Sequence, residues 1–374
     1  MRGRRRGYPE AVRAGGDHRR DRRRPRRELF GDGRAIGSGL PGDRPVIAPA
    51  TEGVDRGAPR LSTGEALRMR AVTYDAYGTD NSGLSVREVP DPKCGPGQVL
   101  IAVRAAGVNP VDWKLMTGGL DGMMDAVFPV IPGWDVAGVV VARGPDTPEF
   151  EIGDEVMSYA RKDMVHGGTY AELVAVAACS VARKSAALDW AGAAGLPLAG
   201  LTALRTLERL DVGGGKTLLV HAAAGGVGSL AVQIARERGA RVIGTASERN
   251  HDFVRGLGAE PVTYGDGLVE RVRELAPDGV TAVADFVGGQ LHTTLAVLAP
   301  GGRHASIADS SVEQHEGHWI WVRPDGAKLA ELVELADQGR LTVEVAATYP
   351  LEEVGAAWDA SRTGHTRGKI VLTP

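Results

Sequence analysis

The sequence predicts an α/β protein in two parts, a β-rich region followed by a doubly wound parallel sheet with helices on both faces. Short β-type runs separated by Pro and Gly fill residues 69–189, and helical and strand patterns alternate from residue 190 to residue 324. Between residues 216 and 236, an apolar run meets a block of very small residues that opens directly into a helical pattern. Residues 325–374 add two further helix-strand pairs.

In the β-rich region, five apolar runs predict strands that form a barrel-like domain. The turn residues between Pro90 and Gly97 separate the second run from the third. The runs cover residues 70–74, 84–89, 98–108, 136–142 and 171–176, with a short β-type piece at 153–156.

In the alternating region, helical and apolar periods predict parallel βα units. Gly239 and Gly258 stand where helix C-caps belong. Helices are expected near 190–209, 229–238, 250–257 and 267–276, and strands near 216–221, 240–246, 260–264, 280–286 and 302–307. The tail predicts a helix at 325–338, a strand at 341–348, a helix at 351–361 and a strand at 368–373.

The first 68 residues differ from the rest in composition. They contain 17 Arg, no Lys and 9 acidic residues, whereas the remaining 306 residues carry a net charge of −11. This Arg-, Gly- and Pro-rich segment has no period of 2 or 3.6, which predicts a disordered leader, and Met69 reads as the natural start of a folded domain. A basic arm that touches nucleic acid and an unrecognised targeting segment stay open as alternatives.

Several classes of function are disfavoured by composition. No apolar run reaches the roughly 18 residues of a membrane helix. The acidic body offers no broad basic surface for nucleic acid. Two cysteines, Cys94 and Cys179, cannot form a disulfide framework or a four-cysteine zinc site, so a cytosolic location is expected.

The small residues at 224–228 have separable roles. Gly225 and Gly226 allow a tight turn and a close approach of backbone to phosphate, and Gly228 lets the following helix pack against the strand. The turn follows a strand and opens a helix, which is the context of a dinucleotide site. We expect the turn of Ala224, Gly225, Gly226, Val227 and Gly228 to bind the cofactor phosphates.

This stretch resembles the signature of the zeta-crystallin-like quinone oxidoreductases, which belong to the medium-chain dehydrogenase/reductase superfamily. The resemblance covers residues 69–374 and includes several motifs in the same order. These are Gly107-Val108-Asn109-Pro110-Val111-Asp112-Trp113-Lys114, Pro132-Gly133-Trp134-Asp135, Gly168-Thr169-Tyr170-Ala171-Glu172, Leu198-Ala199-Gly200-Leu201-Thr202-Ala203 and Arg367-Gly368-Lys369-Ile370-Val371-Leu372.

The resemblance implies a GroES-like β-barrel domain at 69–189, an inserted Rossmann domain at 190–324, and a return to the first domain at 325–374. It implies an active site in the cleft between the domains and a homodimer. It further places Tyr264 on the adenine side of the cofactor, Phe286 and Val287 at the nicotinamide ribose, Thr202 at the nicotinamide end, and Ile307 at backbone contacts.

The end of the second strand of the alternating region predicts which nicotinamide cofactor binds. An NAD site usually has an acid there, whereas this chain has Ala246, followed by Ser247 and Arg249. Ser247 can donate to a 2′-phosphate and Arg249 can pair with it, so NADPH is favoured. A strand that ended two residues later, at Glu248, would favour NAD instead.

A zinc site is not expected. Catalytic zinc in this superfamily needs a Cys and a Gly-His-Glu histidine, but the corresponding positions read Gly107-Val108-Asn109 and Gly133-Trp134-Asp135. Without a Lewis acid, hydrogen-bond donors must polarise the acceptor. Asn109 is the candidate donor, with a turn-forming role before Pro110 as the alternative. Tyr159 and Tyr170 are further candidates, although packing is favoured for both, and Asp112 and Lys114 are expected to pair or to cap a helix.

These observations favour a zinc-independent, NADPH-dependent oxidoreductase that transfers hydride to a quinone or a related conjugated carbonyl. One alternative is a 2-alkenal or enone double-bond reductase with the same hydride donor. The other is a non-enzymic NADPH-binding protein with a structural or RNA-binding role, as in some zeta-crystallin relatives. No membrane partner is expected, and the acidic body disfavours nucleic acid.

Overall fold

A computed structural model describes residues 67–374 of the chain. Nearly all of the predicted leader therefore lies outside the described residues. The strands are β1 (Arg68–Thr73), β2 (Ser85–Pro90), β3 (Gln98–Val108), β4 (Asp135–Arg143), β5 (Glu155–Tyr159), β6 (Leu173–Ala177), β7 (Val181–Arg183), β8 (Thr217–His221), β9 (Arg241–Thr245), β10 (Glu260–Val262), β11 (Val280–Asp285), β12 (Leu298–Ser306), β13 (His318–Trp319), β14 (Val345–Pro350) and β15 (Lys369–Thr373). The helices are α1 (Pro110–Met116), α2 (Trp190–Gly195), α3 (Pro197–Arg209), α4 (Gly226–Glu237), α5 (His251–Gly256), α6 (Leu268–Leu275), α7 (Leu291–Val297), α8 (Gly326–Asp337) and α9 (Val354–Arg362).

The β-rich part is built on one mixed sheet. Its strands lie in the order β14-β15-β3-β4-β5-β7, with β6 also pairing with β3, and β1 and β2 form a separate antiparallel pair. The inward residues of β3, such as Val99, Ile101 and Val103, are buried and alternate with more exposed neighbours. This alternation is the pattern of a sheet with one face on the core.

The alternating part is a six-stranded parallel sheet in the order β10-β9-β8-β11-β12-β13. Leu218, Leu219 and Val220 of the central strand β8 are all fully buried, because helices cover both faces. The strand order reverses between β8 and β11, which is the doubly wound arrangement predicted from the sequence. Such a reversal leaves a crevice at the carboxyl ends of the strands.

The C-terminal segment connects the two sheets. Strand β15 pairs antiparallel with β3, and the backbone N–H of Gly368, just before it, donates to the carbonyl oxygen of Ala224 in the glycine turn at 3.0 Å. Gln233 of α4 exchanges hydrogen bonds of 2.8 and 3.0 Å with the backbone of Thr342. The glycine turn is therefore fixed directly to the β-rich part.

Several element boundaries differ from the sequence prediction. The single helix expected at 190–209 is two helices, because Pro197 has no N–H to donate and begins a new helix, α3. The strand expected at 341–348 runs from Val345 to Pro350. Helices α1 and α7 and the two-residue strand β13 were not predicted, since each is too short to show a full period. No helix within residues 67–374 has the length and apolar character needed to cross a membrane.

Candidate active site

The glycine turn lies at the carboxyl end of β8. Ala222, just after the strand, has a left-handed backbone with φ of 59°, and Gly225 is the N-cap residue of α4. Because Gly225 has no side chain, no side chain caps the helix, and the first-turn N–H groups are open to an anion. The turn fits a pyrophosphate because it opens a twelve-residue helix whose N-terminus has no side-chain cap.

Two glycines of the turn make close packing contacts that a side chain would block. A Cβ at Gly228 would lie 2.1 Å from the carbonyl oxygen of Ala222, so the predicted role of Gly228 in helix-strand packing is confirmed. A Cβ at Gly226 would lie 2.8 Å from Cδ of Lys369. Gly226 therefore makes room for a lysine side chain from the C-terminal strand.

The predicted cofactor residues gather at the carboxyl edge of the parallel sheet. All of them except Thr202, which lies in α3, follow the end of a parallel strand, and parallel strands end at one edge, so the topology brings these groups together. The turn of residues 224–228 follows β8, Ser247 and Arg249 follow β9, Tyr264 follows β10, Phe286 and Val287 follow β11, and Ile307 follows β12. Their individual roles stay predictions.

The end of β9 lies where the sequence placed it. The strand ends at Thr245, Ala246 is buried directly after it, and Glu248 belongs to a separate 3-10 turn. The later strand end that would favour NAD is therefore not present. Arg249 is exposed, with one weak hydrogen bond of 3.4 Å to the carbonyl oxygen of His365, and its guanidinium is available to a ligand.

Asp285 fixes the loop between β11 and α7. One carboxylate oxygen accepts hydrogen bonds from the N–H groups of Val287 and Gly288 at 3.0 and 2.9 Å. The other oxygen accepts from the Ser306 hydroxyl at 2.9 Å. This buried carboxylate holds the backbone of 286–288 beside the crevice, a role that the sequence did not reveal.

A buried polar cluster lies where the β-rich part meets α3 and the C-terminal strand. Lys369 donates to the side-chain oxygen of Asn109 and to the carbonyl oxygen of Val108, and its Nζ lies 3.7 Å from Oδ2 of Asp135. Asp135 accepts from Nδ2 of Asn109 at 2.9 Å and from the N–H of Leu198 at 2.7 Å. Burial lowers the pKa of Lys369 and raises the pKa of Asp135, and each charge partly offsets the effect on the other.

Asn109 is an anchored residue in this cluster. It is the N-cap residue of α1, just before Pro110, so the turn-forming role is present in the structure. Its side-chain oxygen accepts from Lys369, and its Nδ2 donates one hydrogen to Asp135. An amide nitrogen carries two hydrogens, so one remains for a substrate. The catalytic role of Asn109 stays a prediction.

Asp112 is the third residue of α1 and is completely buried. It accepts from the N–H of Asn109 at 2.8 Å and from the hydroxyl of Tyr170 at 2.7 Å, which confirms the expected capping role. Burial raises the pKa of Asp112 to about 7, and the hydrogen bond from Tyr170 lowers it in part. Lys114 does not pair with Asp112, because its Nζ lies over the Trp113 ring, 5.5 Å from the centroid.

The remaining site candidates are packed side chains. Thr202 is buried and donates to the carbonyl oxygen of Leu198 at 2.7 Å, within α3. Trp134 and Tyr159 are buried with their ring centroids 6.0 Å apart. Across residues 67–374, no group of three or more His, Cys, Asp or Glu side chains is arranged to hold a metal ion.

Comparisons with known proteins agree with this arrangement. Residues 95–186 match the alcohol dehydrogenase GroES-like domain, and residues 257–372 match the zinc-binding dehydrogenase family. A chloroplastic quinone-oxidoreductase from Triphysaria versicolor is 34% identical over 326 residues, which are 82% of this chain and 98% of that protein. The chain belongs to the quinone oxidoreductases of the medium-chain dehydrogenase/reductase superfamily.

Two further similarities extend the comparison. An NADPH-dependent alkenal/one oxidoreductase from Arabidopsis thaliana, also chloroplastic, is 33% identical over 314 residues, covering 82% of this chain and 80% of that protein. The solved quinone oxidoreductase of Coxiella burnetii superposes with a TM-score of 0.75 at 32% identity, covering 82% of this chain and all of that one. The predicted fold of a GroES-like domain with a Rossmann domain is therefore confirmed, and the chain is an NAD(P)-dependent oxidoreductase.

The sequence located the glycine turn but not the buried cluster. Lys369 and Asn109 are 260 positions apart in the chain, so no local spacing joins them. In the Gly-Trp-Asp motif, Trp134 shows that a zinc ligand is replaced, but nothing in the motif indicates a role for Asp135. The one available signal was the charge of Lys369 inside an otherwise apolar strand pattern.

Proposed function

We propose that this chain transfers hydride from NADPH to a quinone or a related conjugated carbonyl, without zinc. The observation that carries the proposal is the uncapped N-terminus of α4 at the carboxyl edge of the sheet, with Ala246, Ser247 and Arg249 at the neighbouring strand end. An anion at the helix N-terminus and a second phosphate beside Arg249 are the two charges that NADPH would bring.

When bound, the nicotinamide supplies the hydride, which is two electrons and one proton. The chain's own residues bind the cofactor and orient the acceptor. The turn of residues 224–228 holds the pyrophosphate, Arg249 and Ser247 hold the 2′-phosphate, and the loop fixed by Asp285 lies beside the crevice. Asn109 is held rigidly by Lys369 and Asp135, with one N–H left for the acceptor.

Steady-state kinetics with both nucleotides test the cofactor. We expect KM to be lower for NADPH than for NADH, and Arg249→Met to raise KM for NADPH about tenfold with little change for NADH, because a phosphate pair is lost. Arg255→Met, on the exposed surface of α5, is the control. A lower KM for NADH in the unaltered protein contradicts the assignment.

The zinc-independent chemistry follows from residue types. Asn109 and Trp134 stand at the positions where the zinc-dependent relatives carry a Cys and a His, and an indole does not ligate zinc. Prolonged dialysis against a chelator should leave turnover unchanged. One tightly bound zinc per chain, whose removal abolishes turnover, would contradict this proposal.

The alternative acceptor is an enal or enone, favoured by the similarity to the alkenal/one oxidoreductase. A panel of para-quinones, ortho-quinones, enals and enones separates the two by kcat/KM. NADPH binding without turnover of any acceptor would instead support the non-enzymic class.

We also propose that the chain forms a homodimer and that it is located in the cytosol. Strand β13 forms one edge of the parallel sheet, and a homodimer would pair two such edges, which sedimentation of the full chain tests. Cys94 and Cys179 are both free thiols, in keeping with a reducing compartment such as the cytosol.

A further inference from the structure

Arg161 places a guanidinium without a carboxylate partner beside the candidate active site. It follows β5 by two residues and is half-buried. Its Nε is buried without a hydrogen-bond partner. The guanidinium contacts the Tyr159 hydroxyl, which is neutral, and none of the ion pairs within residues 67–374 includes it. A partly buried charge without a counter-charge costs free energy unless a ligand meets it. None of the roles described above uses this residue.

The sheet register puts Tyr159, which Arg161 contacts, on the side of the buried cluster. Asp135 on β4 and Tyr159 on β5 are directly opposite each other, so their side chains lie on the same face. The Tyr159 hydroxyl is next to Arg161, whose positive charge opposes the rise that burial gives to the pKa of Tyr159. The N–H of Ala160 donates to the carbonyl oxygen of Trp134 at 2.6 Å, which holds this segment beside Trp134 and Asp135.

Hydride transfer creates negative charge on the acceptor. In an enone, a C–H bond forms at the β carbon, the π electrons of the double bond move toward the oxygen, and the resulting enolate takes a proton from water at the α carbon. A quinone gains the hydride and becomes a hydroquinone monoanion, which is then protonated on oxygen. Both reductions use the two electrons and one proton of the hydride and one further proton, and NADPH leaves as NADP+.

We propose that Arg161 binds the carbonyl oxygen of the acceptor and stabilises the negative charge that develops there during hydride transfer. The inference rests on the proposed function. A guanidinium offers planar N–H donors and a permanent charge, which suits an oxyanion in a site without a metal. Asn109 supplies one neutral donor, and Arg161 supplies a positive charge. The buried Lys369 does not supply that charge to the acceptor, because its ammonium group already contacts Asp135 and Asn109.

The experiment compares Arg161→Met and Arg161→Lys with Arg205→Met. Arg205 is half-buried on α3, lies in an outer pocket with Leu201 and Leu204, and serves as the matched control. For each protein, kcat and KM are measured with NADPH and either a para-quinone or an enone, and NADPH affinity is measured separately by tryptophan fluorescence. We expect Arg161→Met to lower kcat/KM about 100-fold for the enone. The loss for the quinone should be about tenfold, because aromatisation already stabilises its anion.

The NADPH affinity and the Tm of Arg161→Met should stay close to those of the unaltered protein, since Arg161 follows β5 of the mixed sheet and the glycine turn follows β8 of the parallel sheet. Arg161→Lys should recover part of the loss, and added guanidinium ion should partly rescue Arg161→Ala. Rescue also keeps the proposal testable if Arg161→Met folds poorly.

Three outcomes would contradict the proposals. If Arg161→Met keeps kcat/KM for both acceptors at the level of Arg205→Met, the inference is wrong while the proposed function stands. If the unaltered protein binds NADPH but reduces neither acceptor, the proposed function is wrong and the inference falls with it. Equal losses in kcat/KM and NADPH affinity would show that Arg161 supports the fold and does not bind the acceptor.

Discussion

Lys369 carries its ammonium group into the interior and meets Asp135 and Asn109 there. Removing one partner of a buried ion pair leaves the other charge without compensation, which is more costly than removing both. The side chain also passes Gly226, so the same residue contacts the glycine turn and the amide of Asn109. At the scale of single residues, the site therefore depends on a charge that need not touch substrate.

Lys369→Met should lower the free energy of unfolding by about 3 to 5 kcal/mol, because Asp135 is left buried without its cation. Lys328→Met, which removes exposed ion pairs with Glu208 and Glu331, should cost less than about 1 kcal/mol. Urea unfolding measures both. The double variant Lys369→Met/Asp135→Asn should recover part of the loss, and a strictly additive double variant would argue against the coupling.

Asp112 predicts a pH dependence of stability. Its pKa is raised to about 7 in the folded protein, whereas an unfolded Asp titrates near 3.9. Between these values the folded state keeps a proton that the unfolded state has lost, so stability falls as pH rises from about 4 to about 7. Asp112→Asn should remove this contribution, because an amide oxygen can accept from both Asn109 and Tyr170.

Unfolding in urea at pH 5 and at pH 8 tests this prediction. The stability lost between these two pH values should be smaller in Asp112→Asn than in the unaltered protein. Asp163→Asn, at an exposed position, is the control and should keep the original pH dependence. A pH dependence in Asp112→Asn that matches the control would show that Asp112 is ionised throughout this range.

At the scale of elements, α4 joins stability to cofactor binding. Gly228 allows the first turn of the helix to lie against the backbone of Ala222, and this contact positions the uncapped N–H groups that we propose bind a phosphate. A methyl group at this position would displace the helix from the strand end. The position of α4 is thus set by packing, and we expect a shift of the helix to weaken cofactor binding.

Gly228→Ala should lower the free energy of unfolding by about 1 to 3 kcal/mol through overpacking, and NADPH affinity should fall about tenfold or more. Gly214→Ala is the control, because a Cβ at Gly214 meets nothing within 4 Å. Thermal unfolding and fluorescence titration with NADPH measure the two effects. Unchanged affinity in Gly228→Ala would show that the helix N-terminus does not bind the phosphates.

Some elements could be predicted from the sequence and others could not. The parallel sheet, the glycine turn and the position of Ala246 could be predicted, because each depends on local periods and turn residues. Helix α1 could not, since its seven residues are too few to show a clear period. The cluster of Lys369, Asp135 and Asn109 was hidden for another reason, because it forms only when β15 returns to β3.

For the whole molecule, charge is distributed unevenly along the chain. Residues 1–68 carry a net charge of +8, and the remainder carries −11. Every residue proposed to bind the cofactor or the acceptor lies within residues 67–374, which belong to one compact unit. An acidic body repels nucleic acid, so any binding to phosphate backbones would need the basic segment.

Removing residues 1–66 should therefore leave kcat and the KM for NADPH within about twofold of the full chain, because the residues proposed to bind the cofactor and the acceptor all lie within residues 67–374. If the full chain binds RNA at low salt, the shortened chain should lose that binding, since the remaining charge is negative. Parallel turnover and RNA-binding assays at two salt concentrations separate the cases. RNA binding that persists in residues 67–374 would locate it on the acidic body and contradict the electrostatic reasoning, whereas lost turnover would show that the first 66 residues support the active site.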